Sequence, residues 1–145
     1  MWRILRRDAE TVLNDKMARK SLARYFSVMQ NEKPAKFMIA KKLPAEFSEH
    51  DSIEELWQKH ARLTKEFYEV EGAIDARQKS LRGMQTPETS YLDLKIQIAR
   101  RILTNCHFCT RRCEVNRLKG ELGYCRCRTE ITVSSIFEHM GEEPE

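Results

Sequence analysis

Five cysteines occur in this chain of 145 residues, and all of them fall between Cys106 and Cys127. Cys106, Cys109 and Cys113 stand at Cys-x2-Cys-x3-Cys spacing, and Cys125 follows after eleven intervening residues. Two cysteines separated by two residues can turn their sulfurs toward one centre, because a tight turn bends the backbone around an ion. A third and fourth thiolate then complete a tetrahedral set for zinc or the corner ligands of an iron–sulfur cluster. Cys127 lies two residues beyond Cys125, so in extended backbone the two side chains share a face and either can act as the fourth ligand. Cys125 is the first choice and Cys127 the alternative. Four thiolates suit Zn2+ and iron–sulfur equally, and donor type does not separate them. His107 and His139 are expected to be neighbours rather than ligands, because five thiols are at hand.

The cysteine count and clustering favour a metal over disulfides. An odd number leaves one sulfur over in any disulfide scheme, and reduced thiols belong to a cytoplasmic setting, which is the expected localisation. The start of the chain, Met1-Trp2-Arg3-Ile4-Leu5-Arg6-Arg7, lacks the apolar centre of a secretory signal. No apolar run approaches the roughly 18–20 residues of a membrane span, so no membrane partner is expected. The formal net charge is +4, with 33% charged residues. It is uneven: from Lys95 to Arg128, nine lysines and arginines stand against only Glu114 and Glu121. Basic residues around anionic sulfurs compensate their charge. The alternative use of such a rim, contact with nucleic acid or a protein partner, lacks an accompanying recognition module.

Something must present these sulfurs. Residues 1–89 read as a helical amino-terminal region. Residues 1–30 carry apolar residues at helical recurrence, with a break at Asn14-Asp15 that caps a second helix. Between Pro34 and Pro44 the pattern suggests a connector with a weak turn of helix or a strand. Ser52-Ile53-Glu54-Glu55 is a capping box, after which Ile53, Leu56, Trp57, His60, Leu63, Phe67 and Val70 recur at three- and four-residue steps. His60 on that stripe is expected to be a packed histidine, and Gly72 and then Gly83 to weaken and end the pattern. Residues 90–129 join a helix to the cysteine segment. Ser90 and Asp93 open that helix. Its apolar face is expected on Leu92, Ile96, Ala99 and Leu103, with Leu94, Ile98 and Ile102 on the flank, and it runs directly into Cys106. Gly120 and Gly123 are expected at positive φ, and Val115, Leu118 and Leu122 as a small cover over the sulfurs. Residues 130–145 begin with the β-branched content of a strand. The resulting fold class is mostly α, with a small cysteine-rich metal-binding knuckle and a short C-terminal β segment. No catalytic residue is expected: no nucleophile is paired with a base, and the adjacent carboxylates Glu54/Glu55 and Glu142/Glu143 point different ways.

The run from Cys106 through Asn116-Arg117 and Gly120-x2-Gly123 to Cys125, followed by Val133-Ser134-Ser135 and His139-Met140-Gly141-Glu142-Glu143-Pro144, resembles the amino-terminal part of radical S-adenosylmethionine proteins. The similarity is to archaeal and bacterial relatives of pyruvate formate-lyase activating enzyme, and it covers residues 90–145. It implies that residues 130–145 lead toward an α/β barrel, of which this chain would be an incomplete part. In that family a Cys-x3-Cys-x2-Cys motif binds the [4Fe–4S] cluster that cleaves S-adenosylmethionine. The spacing here is the reverse, and that motif does not occur in the 145 residues. The resemblance therefore implies an accessory iron–sulfur or zinc centre, S-adenosylmethionine only in a complete enzyme, and a barrel missing or separately encoded as partner. This chain alone is expected to be inactive.

Overall fold

The computed structural model describes residues 14–130 and Val133. The expected helix before Asn14 and, Glu130 and Val133 apart, the expected strand from residue 130 onward lie outside the described residues. The chain divides into two compact units, Ala35–Thr132 and a second made of Met1–Pro34 with Val133–Glu145.

In the second unit, α1 (Lys16–Ser21) begins where Asp15 turns its carboxylate back onto the first turn, accepting from the backbone N–H of Met17 at 2.6 Å and Ala18 at 2.9 Å. α2 (Ala23–Met29) follows at once. It ends with Asn31 at φ 59°. The amides of Asn31 and Glu32 bond back to Val28 and Ser27 at 3.0 and 2.9 Å, which satisfies carbonyls the helix end would otherwise orphan.

The larger unit holds the core. The connector after Pro34 resolves as a short helix, α3 (Lys36–Ala40). It then runs as extended backbone beside the entry to the last helix: the amide of Tyr91 donates to Leu43 O at 2.8 Å and that of Ala45 to Thr89 O at 3.1 Å. α4 (Ile53–Asp75) is 23 residues long and opens with the capping box on Ser52 and Glu55. Arg101, from a later helix, donates to the carbonyls of Glu49 and Asp51 and so holds the approach to that cap. Gly72 does not end α4. The helix continues to Asp75 and stops in a turn with Arg77 at φ 58°, where the amides of Arg77 and Gln78 return to Ile74 and Ala73. A lone glycine weakens a helix by only about 1 kcal/mol, which packing readily overrides.

α5 (Tyr91–Thr104) starts at Ser90, whose hydroxyl accepts from the Asp93 amide while the Asp93 carboxylate accepts from the Ser90 N–H at 2.8 Å. The Ser90 hydroxyl also donates to the Asp93 carboxylate at 2.6 Å, and that bond first, then the Ser90 N–H, holds the Asp93 carboxyl below the usual carboxylate range. α5 packs along α4 and α3. Ile39, Leu43, Leu56, Leu63, Phe67, Tyr91, Leu94, Ile98 and Ile102 form the core. The α5 face is thus rotated from the expected one. Leu94, Ile98 and Ile102 are buried and Ile96 is 45% exposed. Both stripes have helical spacing; the one that meets α4 is the one that Tyr91 also belongs to. The stripe on α4 is buried at Leu56, Leu63 and Phe67, while Trp57 stays 45% exposed at its edge.

His60 is a packed histidine at the α4–α5 seam. Its ring contacts Trp57 and Tyr91. Its Nε2 lies 2.9 Å from Lys95 Nζ and 3.1 Å from the Tyr91 hydroxyl, which in turn meets Thr64 Oγ1 at 2.7 Å. A lysine ammonium only donates, so Nε2 is the acceptor in that pair. Burial, and then the Lys95 charge, push the His60 pKa below its ordinary value. Among the described residues no helix is long and apolar enough to cross a membrane.

Candidate metal centre

α5 ends at Thr104, and Cys106 follows one residue past the Asn105 cap. Cys106 is buried beneath the helix end. Its amide donates to Val115 O at 3.1 Å and its carbonyl accepts from the Glu114 amide at 3.0 Å. That pair of bonds closes residues 106–115 into a loop with Cys106 at the neck. Inside the loop, a turn from Cys109 to Arg112 is closed by the Arg112 amide on the Cys109 carbonyl at 3.1 Å. Arg112 at φ 42° and Glu114 at φ 57° flank Cys113. Left-handed backbone at two non-glycine residues costs on the order of 1–2 kcal/mol each, so the position of Cys113 is set against local preference.

A single turn of 3₁₀ helix, Arg117–Lys119, packs at the end of α5. Asn116 caps it by accepting from the Lys119 amide at 3.1 Å, and Glu121 reaches back to the Asn116 N–H at 2.7 Å. Gly120 supplies the left-handed residue, φ 82°, that ends it. This small closed motif aims Arg117 inward. Arg117 is 5% exposed. Its Nε donates to Cys106 Sγ at 2.9 Å, its Nη2 to Cys125 Sγ at 3.3 Å, and its Nη1 to the Cys127 carbonyl. The two sulfurs, Cys106 first, push its already high pKa further up.

Gly123 has an ordinary φ, and its need for glycine is steric. A Cβ built there would lie 2.9 Å from Cys113 Cβ, 3.0 Å from Cys113 Sγ and 2.9 Å from Arg117 Nη2. Only a bare backbone fits between Cys113 and the guanidinium. The next amide, of Tyr124, donates to Cys113 Sγ at 3.3 Å. Cys106, Cys113 and Cys125 are therefore gathered around one guanidinium and one glycine.

The other expected participants sit differently. Cys109 is exposed in its turn. Cys127 is exposed, with its thiol on the Cys125 carbonyl at 3.4 Å. The Cys127 backbone amide, ahead of its thiol and Arg117, holds the Cys125 thiol below its ordinary pKa, while Cys125 pushes the Cys127 thiol up. His107 is exposed and its Nδ1 lies 2.7 Å from the Asn105 carbonyl; His139 lies outside the described residues. The expected apolar cover is not formed: Leu118 is 50% and Leu122 49% exposed. Arg117 lies against the sulfurs instead. Among the described residues, no three His, Cys, Asp or Glu side chains stand close enough together to hold a metal ion. Thiolates are suitable donors for a metal; in this arrangement Cys106 and Cys125 share the Arg117 guanidinium, and Cys113 lies across Gly123 from it.

In the sequence Arg117 stands out as one of nine basic residues and as part of the Asn116-Arg117 pair in the family resemblance, with no role beside the sulfurs. Its signal lies in its position, directly after the capping Asn116 and between the third and fourth cysteines.

The chain is 38% identical over 122 residues to an uncharacterized protein of Methanocaldococcus jannaschii, an alignment taking in 84% of this chain and 33% of that protein. The chain thus spans about a third of the length of the curated relative it matches. No family model matches it, and no solved structure does.

Proposed function

We propose that this chain is the metal-binding, amino-terminal portion of a radical S-adenosylmethionine protein related to pyruvate formate-lyase activating enzyme. Cys106, Cys109, Cys113 and Cys125 would hold an iron–sulfur cluster, [4Fe–4S] by preference, or Zn2+, with Cys127 as the alternative fourth ligand. The observation that carries the reading is the drawing together of Cys106, Cys113 and Cys125 around Arg117, within a segment anchored to the end of α5. When bound, the centre supplies either a fold-locking cross-link, as zinc, or a one-electron relay, as iron–sulfur. The chain's own residues do the rest: α5 fixes Cys106, the left-handed residues at 112 and 114 turn Cys113, and Gly123 lets it approach the arginine.

The length of the relative supports placing this portion in a larger protein, working with a barrel encoded beside it or separately as its partner. S-adenosylmethionine cleavage belongs to that complete, cytoplasmic enzyme, and the chain alone is inactive. The decisive experiment is anaerobic purification followed by metal and acid-labile sulfide analysis. Iron with sulfide makes the centre a cluster; zinc without sulfide makes it structural. A chain that takes up neither metal, as isolated or after reconstitution, would remove the reading. Reductive cleavage of S-adenosylmethionine by this chain alone would overturn the assignment to an accessory centre.

A further inference from the structure

We infer that Arg117 is the positioning residue that assembles the thiolate set and remains beside it as its counter-charge; this rests on the metal-centre reading above.

A guanidinium has five N–H donors, a permanent charge and no means of shedding a proton. Burying it is costly unless its donors and its charge are both answered. Arg117 is 5% exposed. Among the described residues, no carboxylate is paired with it within salt-bridge distance. Its partners are the sulfurs of Cys106 and Cys125 and the Cys127 carbonyl. The negative charge this buried cation calls for is therefore thiolate charge. Four thiolates around a divalent ion or a cluster carry a net negative charge, which a neutral side chain at this position would leave unbalanced.

Geometry gives the same answer. The planar fork reaches Cys106, next to the end of α5, through Nε, and the Gly123–Arg126 turn that carries Cys125 through Nη2. Those two cysteines come from opposite ends of the cysteine window. Gly123, pressed between the guanidinium and Cys113, brings in a third. One side chain thus links ligands that the backbone delivers separately. Lysine, a point charge on a flexible stem, cannot span two sulfurs and a carbonyl at once.

The test uses the full chain, anaerobically, as wild type, Arg117→Met, Arg117→Lys and Arg100→Met. Co(II) is the spectroscopic probe and Zn(II) is titrated against a chromophoric chelator. Loss of a group that orients ligands typically weakens metal binding by about 10–100-fold. Arg117→Met should fall in that range, with a shifted and weakened sulfur-to-cobalt charge-transfer band, and Arg117→Lys should recover part of the loss. Arg100→Met, which removes the same charge from an exposed position on α5, should bind as wild type. The far-UV helical signal identifies any variant that fails to fold. In that event Gly123→Ala, which crowds the guanidinium and Cys113, serves as the second variant and should weaken binding likewise. Equal affinity and spectra for wild type and Arg117→Met would overturn the role of Arg117 while leaving the metal centre standing. Equal losses in the Arg100 and Arg117 variants would reduce it to a diffuse charge effect and overturn it as well. A wild type that binds neither Co(II) nor Zn(II), nor iron with sulfide, would remove the metal centre itself.

Discussion

The α4–α5 core and the cysteine segment are held together by different physics. In the core, apolar side chains from three helices meet, and each long helix is started by a four-residue capping box. In the cysteine segment the buried residues are Cys106 and Arg117, while Phe108, Leu118, Leu122 and Tyr124 face outward. Backbone bonds, a 3₁₀ turn and left-handed residues at Arg112, Glu114, Gly120 and Arg126 define its path. A segment with so little apolar burial has little to offset its conformational entropy. It depends on the end of α5 and on the bonds from Arg117 to its sulfurs. The comparison teaches that the helices can fold without the cysteines, but the cysteines cannot be arrayed without the helices.

That asymmetry can be broken from either side. Leu94→Ala, at a site with no exposure, should cost about 2–5 kcal/mol of unfolding free energy, read by denaturant melts. Because α5 carries Cys106, it should also reduce metal uptake; an intact metal affinity in a destabilised variant would show that the segment folds independently.

Gly123→Ala works from the other side. The added methyl meets Cys113 Cβ at 2.9 Å, an overpacking worth about 1–3 kcal/mol. Hydrogen exchange should accelerate at the amides of Cys106, Glu114 and Tyr124 and hold steady in α4. Uniform acceleration across the unit would contradict the division.

Ser90→Ala removes the cap of α5 and should lower stability by roughly 1 kcal/mol. Since the Asp93 carboxylate then loses a hydroxyl partner, its titration by NMR should move up toward the ordinary carboxylate value. An unmoved titration would mean that the Ser90 hydroxyl does not hold it.

The smallest effect expected is on pH. His60 faces Lys95 and Tyr91 on α5 and Trp57 and Thr64 on its own helix, and its folded pKa is depressed, first by burial and then by Lys95. The unfolded chain therefore binds the proton more readily. The stability gained from keeping His60 neutral is fully present above the unfolded pKa of about 6.5 and is lost as pH falls through it toward the folded value. His60→Gln should flatten that part of the pH–stability curve while leaving the more acidic decline, where Asp51 and Asp93 have depressed values, in place. Parallel curves for the two proteins would refute the assignment.

Caps and ligand spacing were readable because they are local. Asp15, Ser52 and Ser90 each satisfy amides within three residues, so sequence neighbours suffice to specify them. Cys106 directly after an amphipathic helix was equally plain. The end of α4 was not: a left-handed Arg77 closes it, and no glycine marks the place. Nor was the inner face of α5, since two stripes had helical spacing and only contact with α4 chose between them. The same limit hid the contact of Arg117 with the sulfurs and the steric role of Gly123. Sequence alone determined that this is a mostly helical chain with its thiols clustered between Cys106 and Cys127, because hydrophobic period, capping and cysteine spacing are short-range properties. Tertiary structure decided which sulfurs approach one another and which cation sits between them, because those depend on contacts between residues up to eleven positions apart, made only after α5 docks and the loop closes.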